Sequence, residues 1–355
     1  MSTHPAAIAA VILLGLIAPP AIADAQSAFL TLPDVSQHAR VTQRIGLTDL
    51  TVDYSRPLVA GRKIFGGLQP YGEVWRAGAN WNTTFQTTDS VTIDGHPLPK
   101  GIYGVHMIPG QTSWVIIFSR NATSWGSFSY DSTEDALRVV VHPQTIPHQE
   151  VLTYSFDDPT PSSVVLTMRW ASVAVPVTIT IDVPHLVAQS LRNQLRGRIQ
   201  TEWQPYAEVA NYLLENSLDP KEAFDDAEAS IRIEDRFENE ITKVRALRAL
   251  GRNTDADATQ AKALNMGTQK QVYGFGRNLQ RVGDQRAAIE IFRNDMRKHP
   301  GTYLSHQEAA RVAVFDGDYD KAAAEVRLAI AGSPPELHSA LQGLLAEVQQ
   351  HVDIN

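Results

Sequence analysis

The sequence predicts two domains of different class, an antiparallel β-sandwich or barrel followed by an all-α array of helical repeats, α+β taken together. Three observations predict it. Composition changes near residue 185: fifteen of the 20 prolines and five of the 6 tryptophans precede it, and Ala, Leu, Arg, Glu and Gln dominate the rest of the chain. That is a change from strand-forming to helix-forming residues. The earlier part carries short apolar runs set about 8–12 residues apart by turn residues. The later part repeats itself at a period of 34 residues: Gly283-Asp284 recurs as Gly317-Asp318, and Pro300 as Pro334. A chain of 355 residues is long enough for two such domains.

Ahead of both, Ala6–Ala18 is an apolar run of signal-peptide length, too short to span a bilayer. Pro19, Pro20 and the small-x-small triplets Ala21-Ile22-Ala23 and Ala23-Asp24-Ala25 follow it. Residues 1–25 are therefore read as a signal peptide cleaved after Ala23 or Ala25, although only the amino terminus and His4 stand where basic residues are usual. This predicts export to the periplasm or beyond the cell. No later stretch approaches the roughly 18 apolar residues of a membrane helix. The net charge is −8, and residues 26–185 carry 10 basic and 13 acidic side chains against 21 and 25 in residues 186–355. Neither part supplies the positive field that nucleic acid requires. The absence of cysteine excludes disulfides, thiolate chemistry and Cys-ligated zinc.

The β domain is placed at 26–183. Leu50, Val52 and Tyr54 alternate with polar residues, the period of a half-buried strand. Ser90–Ile93 and Ile102–Ile108 read as strands joined through the turn residues Asp94-Gly95. Trp114–Phe118, Leu137–Val141, Val151–Phe156, Val164–Trp170 and Val173–Ile181 come after them. Eight or more short strands without a long helix between them make a sandwich or barrel.

Residues 56–84 break the alternation and form a long irregular segment. Such loops in compact domains are functional or disordered, and Ile64, Phe65, Trp75 and Trp81 provide too much apolar surface for disorder. The functional reading is a pocket for a polar or anionic ligand: Arg56, Arg62 and Arg76 as planar cationic donors, Trp75 as a wall and Asn80 as an orienting amide. The structural reading is that these arginines hydrogen-bond the loop's own carbonyls and pin it to the sandwich. His106, mid-strand in an apolar run, joins the candidates. No His pair has metal-ligand spacing, and Gly126-Ser127-Phe128-Ser129 lacks the second glycine of a nucleophile elbow. No catalytic residue, metal or cofactor is assigned. Asn82-Thr83-Thr84 and Asn121-Ala122-Thr123 are read as turn chemistry.

Pro184 starts a helix running through Leu191, Leu195 and Ile199, read as a linking helix over 184–204, with Arg192, Arg196 and Arg198 facing either an acidic side of the sandwich or water. The repeats occupy 205–352. Each turn Gly is followed five residues later by Ala (Ala288, Ala322) and four further on by an apolar residue (Phe292, Val326). Degenerate units begin at Gly251 with Ala256 and at Leu218 with Ala223. The pattern resembles tetratricopeptide repeats, pairs of antiparallel helices that bury their apolar faces only by stacking, and about four units are expected.

Across the chain, Gly61–Gly66, Tyr71–Asn80, Tyr103–Pro109, Trp125–Phe128, Asp135–Val139, Gln194–Gly197, Gln271–Tyr273 and Asp353–Asn355 together resemble a bacterial secreted family labelled as a domain of unknown function, family 2911. The resemblance implies a β-rich domain in an exported protein and implies no activity. Two positions depart from the family pattern: Trp81 stands where an acidic residue often follows the Asn, and Lys100 where a small residue is usual. The favoured reading is a non-enzymatic envelope protein whose repeats engage a protein partner and whose loop takes a small polar or anionic ligand. The alternative is a hydrolase-type enzyme with its site in loop 56–84 near His106.

Overall fold

The computed structural model describes residues 33–355; the expected signal peptide over 1–25 lies outside the described residues. Ten strands come first: β1 (Gln37–Ile45), β2 (Thr48–Arg56), β3 (Thr83–Thr87), β4 (Val91–Ile93), β5 (His96–Leu98), β6 (Gly101–Ile108), β7 (Trp114–Ser119), β8 (Asp135–Val141), β9 (Gln144–Asp157) and β10 (Ser163–Thr180). They form two antiparallel sheets, ordered β1-β2-β3-β6-β7-β8 and β5-β4-β10-β9. The two sheets stay separate, so the domain is a sandwich and not a closed barrel. Val52, Val105, Met107, Ile116 and Phe118 of the larger sheet meet Tyr154, Leu166, Met168, Val175 and Val177 of the smaller across the core. The predicted alternation holds in β2, where Leu50, Val52 and Tyr54 are buried.

Several strand expectations need correction. Asp94-Gly95 joins β4 to the short β5 and not to β6, with both residues at the positive φ (46° and 82°) that a tight hairpin turn demands. The two strands expected over 164–181 are one long β10, broken in register where Ala171 takes φ 54°. A bulge of this kind hides a single strand behind two runs of alternation. β1 escaped the sequence reading because it is a polar edge strand, held by Arg40–Asp53 and Arg44–Asp49 pairs across to β2.

Ten helices follow. α1 (Val183–Gln194) is capped by the Asp182 carboxylate. It ends before Leu195, so Ile199 lies in a separate 3-10 turn and the helix is shorter than expected. Arg192 binds neither the sandwich nor water alone: it reaches Glu222 in a two-pronged pair at 2.5 Å. Arg196 and Arg198 are exposed. The remaining helices are α2 (Trp203–Glu215), α3 (Pro220–Ile233), α4 (Phe237–Ala249), α5 (Asn253–Met266), α6 (Gln269–Arg281), α7 (Gln285–Lys298), α8 (Tyr303–Phe315), α9 (Tyr319–Gly332) and α10 (His338–Gln349).

These are four helix pairs, α2–α3 to α8–α9, closed by α10 against α9. Each pair turns on the same device. Ser217, Gly251, Gly283 and Gly317 all have φ between 52° and 90°. The next residue's N–H bonds back to the carbonyls of Leu213, Leu247, Leu279 and Ala313 respectively. This is the left-handed helix stop that satisfies otherwise orphaned carbonyls. The four turns therefore place the degenerate first unit, where Ser217 replaces glycine, on the same footing as the later ones. Ala223, Ala256, Ala288 and Ala322 are all fully buried in the second helices, because only a methyl fits where the paired helices approach.

Candidate functional site

The segment 57–82 is pinned to the sandwich by its own backbone and by two of the candidate arginines. Val59 N–H bonds Glu150 O at 2.8 Å, and Leu152 N–H bonds Pro57 O at 3.1 Å. Arg56 donates to Leu152 O (3.1 Å) and Thr153 Oγ1 (2.9 Å). Arg62 donates to Val59 O (3.0 Å) and Leu58 O (2.5 Å). Both guanidiniums satisfy carbonyls of the fold, as the structural reading holds. Trp75 is buried; its ring stacks on Trp170 at 5.6 Å, meets Phe65 edge-on, and its Nε1 donates to Gly78 O at 3.1 Å. It is a core residue and forms no pocket wall. Asn80, at φ 58°, donates to Ser36 O at 3.2 Å, tying the segment to the chain entering β1.

Arg76 and His106 differ from these four. Trp75 pairs with Met107 through two backbone hydrogen bonds of 2.8 and 2.7 Å, extending β6 beyond the end of β3. The register sets Arg76 opposite His106, and alternation turns both to the outer face of the larger sheet while Trp75 and Met107 enter the core. Residues 120–134, between β7 and β8, cover that face. His106 is 2% exposed; its Nδ1 meets Ser127 Oγ at 2.8 Å and its ring lies 5.1 Å from Tyr130. Tyr130 donates to Asp135 at 2.8 Å, and Arg138 donates to both at 2.5 Å. Burial pulls the His106 imidazole down to about 4, only partly opposed by Asp135. It is a neutral histidine at physiological pH.

The Arg76 guanidinium lies over the Trp125 ring at 5.6 Å. Its Nε is buried without a hydrogen-bond partner among the described residues, and burial lowers its pKa. Beside it stand two exposed aromatics, Trp125 (56%) and Phe128 (82%), and the exposed Trp81 (63%) is adjacent in the backbone. Trp81 is bridged to Trp125 through the backbone, and Trp125 stacks on Phe128 at 5.7 Å. Tertiary structure thus splits the six candidates. Arg56, Arg62, Trp75 and Asn80 build the segment, whereas Arg76 and His106 face a second loop that sequence reasoning did not connect to them. Ser127, Asp135 and Arg138 stand in the motifs shared with family 2911, but nothing in their spacing joined them to His106. Among the described residues, no group of three or more His, Asp or Glu is placed to hold a metal.

A second constellation lies on the repeats. Asn211, Arg245, Arg277 and Arg311 occupy one position in the first helices of the four pairs, spaced by 34, 32 and 34 residues. The segment after α10 runs onto this row. The backbone carbonyl of Ile354 accepts from Arg277 (3.3 Å) and from Arg311. Asn355 accepts from Gln280 at 2.5 Å and donates to Arg311 O at 3.3 Å. Ile354 itself, 7% exposed, enters the apolar cluster of Ala313, Val314, Val326 and Val348. Earlier along the row, Arg245 donates to Asn211 at 2.6 Å. The sequence carried this signal in the 34-residue recurrence of Arg at 277 and 311, which is hidden behind the stronger recurrence of turn and core residues.

No curated protein matches the chain. Among solved structures, the repeat region is similar to a chain of the APC/C hetero-tetramer Cut9-Hcn1 (16% identity, TM-score 0.30), over 48% of this chain and 33% of that one, a third of that chain's length. It is also similar to MamA (14% identity, TM-score 0.29; 44% and 91% of the two chains). A third is YrrB, described as a TPR protein with an unusual peptide-binding site (12% identity, TM-score 0.26; 46% and 86%). Residues 36–179 match the family described as "Protein of unknown function (DUF2911)". The matched stretch coincides with the sandwich, and the four helix pairs follow it.

Proposed function

We propose that this chain is an exported, non-enzymatic binding protein whose repeats hold an extended segment of a protein partner along the face formed by the first helices. One observation carries the reading: the chain already seats two of its own residues there, Ile354 and Asn355, through a backbone carbonyl and an amide side chain held by Arg277, Gln280 and Arg311. Contacts to main chain and to one apolar side chain are how a groove takes an extended peptide. The row Asn211–Arg245–Arg277–Arg311 gives such a groove donors along its length, in a protein whose net charge is −8. The apolar run Ala6–Ala18 and its small-x-small triplets support delivery to the envelope.

The test is affinity capture from an envelope extract with the wild-type chain, an Arg245→Glu/Arg277→Glu variant and an Arg76→Ala variant. Partners retained by wild type and by Arg76→Ala but lost from the double variant support the reading. Identical capture by all three refutes it. Cell fractionation checks export: the protein belongs in the periplasmic or extracellular fraction, shortened at its amino terminus.

A second reading rests on the Arg76 group. A guanidinium whose Nε has no partner among the described residues, beside the exposed rings of Trp125 and Phe128, suits a small polar or anionic ligand with a flat face. The His106–Ser127 contact is what favours a hydrolytic version of that site, because a neutral imidazole can accept the serine proton. Ligand binding lost in Arg76→Ala with turnover absent supports binding. Turnover abolished by both His106→Gln and Ser127→Ala supports hydrolysis.

A further inference from the structure

The segment Val352–Asn355 occupies the face proposed to take a partner, and the manner of its docking suggests what it does there. We propose that it is a resident competitor: it mimics the partner's bound segment, a short non-helical run with an aliphatic side chain followed by an amide, and it must leave before that segment enters. The proposal rests on the peptide-binding reading of the repeats.

Three observations carry it. The contacts are those of a ligand and not of a further helix. Ile354 fills an apolar hole between α8, α9 and α10 while its carbonyl is held by two arginines from equivalent positions of neighbouring repeats. Anchoring to the arginine row and the apolar hole is confined to Ile354 and Asn355: Val352 and Asp353 are exposed, and the Val352 N–H only closes the end of α10 by bonding Glu347 O at 3.0 Å. A segment so short is ordered by few contacts and opens without disturbing the helices. The groove also continues past it. A cleft of about 470 Å³ beside Asn355 is lined by Gly274, Arg277, Asn278, Gln280 and Arg281, and it offers further donors to a longer partner segment.

Tethering keeps the competitor at a high effective concentration, so a free peptide sees only the fraction of molecules whose groove is open. The probe is a fluorescent peptide of residues 350–355, amidated at its end, titrated into the full chain by anisotropy. Ile354→Asp, which expels the side chain from its hole, is expected to bind the peptide at least about tenfold more tightly than wild type. Asn355→Ala, which leaves Ile354 seated and loses the Gln280 contact, is expected to fall between them. Adding Arg277→Ala and Arg311→Ala to Ile354→Asp removes binding. Equal affinity in wild type and both variants overturns the proposal, as does absence of binding in a variant that melts like wild type. Should Ile354→Asp fail to fold, the Asn355→Ala comparison decides. Wild type that is dimeric while Ile354→Asp is monomeric assigns the segment to a second copy and also overturns it.

Failure of the two readings can be told apart. Peptide gain in Ile354→Asp with no envelope protein captured by either form leaves the competitor standing and removes the partner. A partner captured equally by both forms removes the competitor alone.

Discussion

Trp75 and Arg76 are neighbours in sequence with opposite fates, and the alternation of an extended backbone is the cause. Trp75 stacks in the core between Phe65 and Trp170. Its replacement by Ala is expected to destabilise the sandwich by about 3–5 kcal/mol, read as a lowered urea midpoint. Arg76 closes no carbonyl among the described residues, and Arg76→Ala is expected to leave that midpoint nearly unchanged. Arg62→Ala should lower it modestly, because Leu58 O loses its guanidinium donor while Val59 O keeps only the backbone N–H of residue 62. His106 adds a pH signature. The unfolded histidine takes up a proton below 6.5, whereas the buried ring resists until about 4. Between those values the unfolded state binds more protons, so stability falls as pH drops through the window, by at most about 1.4 kcal/mol per unit. His106→Gln should flatten that limb of a stability–pH curve.

At the scale of elements, the four helix pairs share one turn and differ in how well its residue suits it. Ser217 holds a left-handed backbone that glycine holds in the other three pairs, a conformation that costs a side-chain-bearing residue about 1–2 kcal/mol. Gly283→Ala is therefore expected to destabilise the array by about 1 kcal/mol. Ser217→Gly should stabilise it by a smaller amount, because glycine also loosens the unfolded chain. Thermal unfolding measures both. The contact between neighbouring pairs, α7 against α8, carries a different cost. Glu308 is fully buried with both oxygens unpartnered among the described residues, and burial, reinforced by Asp295, pushes it up to about 9. The folded array thus keeps a proton that the unfolded chain releases above about 4.5. Its stability falls as pH rises through that window, and Glu308→Gln should abolish the slope.

For the whole molecule, the two pH effects have opposite sign: the sandwich loses stability toward acid through His106, and the array loses it toward base through Glu308. Unfolding followed separately by tryptophan fluorescence, with five of the 6 tryptophans before residue 185, and by helical circular dichroism should show the two transitions moving in opposite directions between pH 4.5 and 6.5. A single transition with one pH slope would contradict this. The order of domains, the strand alternation in β2 and the 34-residue turns were legible in the sequence, because they depend on residues close along the chain: a period of two, a period of 3.6, a glycine at a helix stop. Polar edge strand β1 and bulged β10 were not legible, since their partners lie across the sheet and set the pattern from outside. The same limit governed the sites. Arg56 and Arg62 could be foreseen as loop rivets or ligand clamps, and only their carbonyl partners chose between the two. What joins Arg76 and His106 to Trp125, Ser127 and Asp135, or Arg277 and Arg311 to Ile354, is packing between segments distant in sequence. Local residue chemistry specifies elements, and the meeting of elements specifies sites.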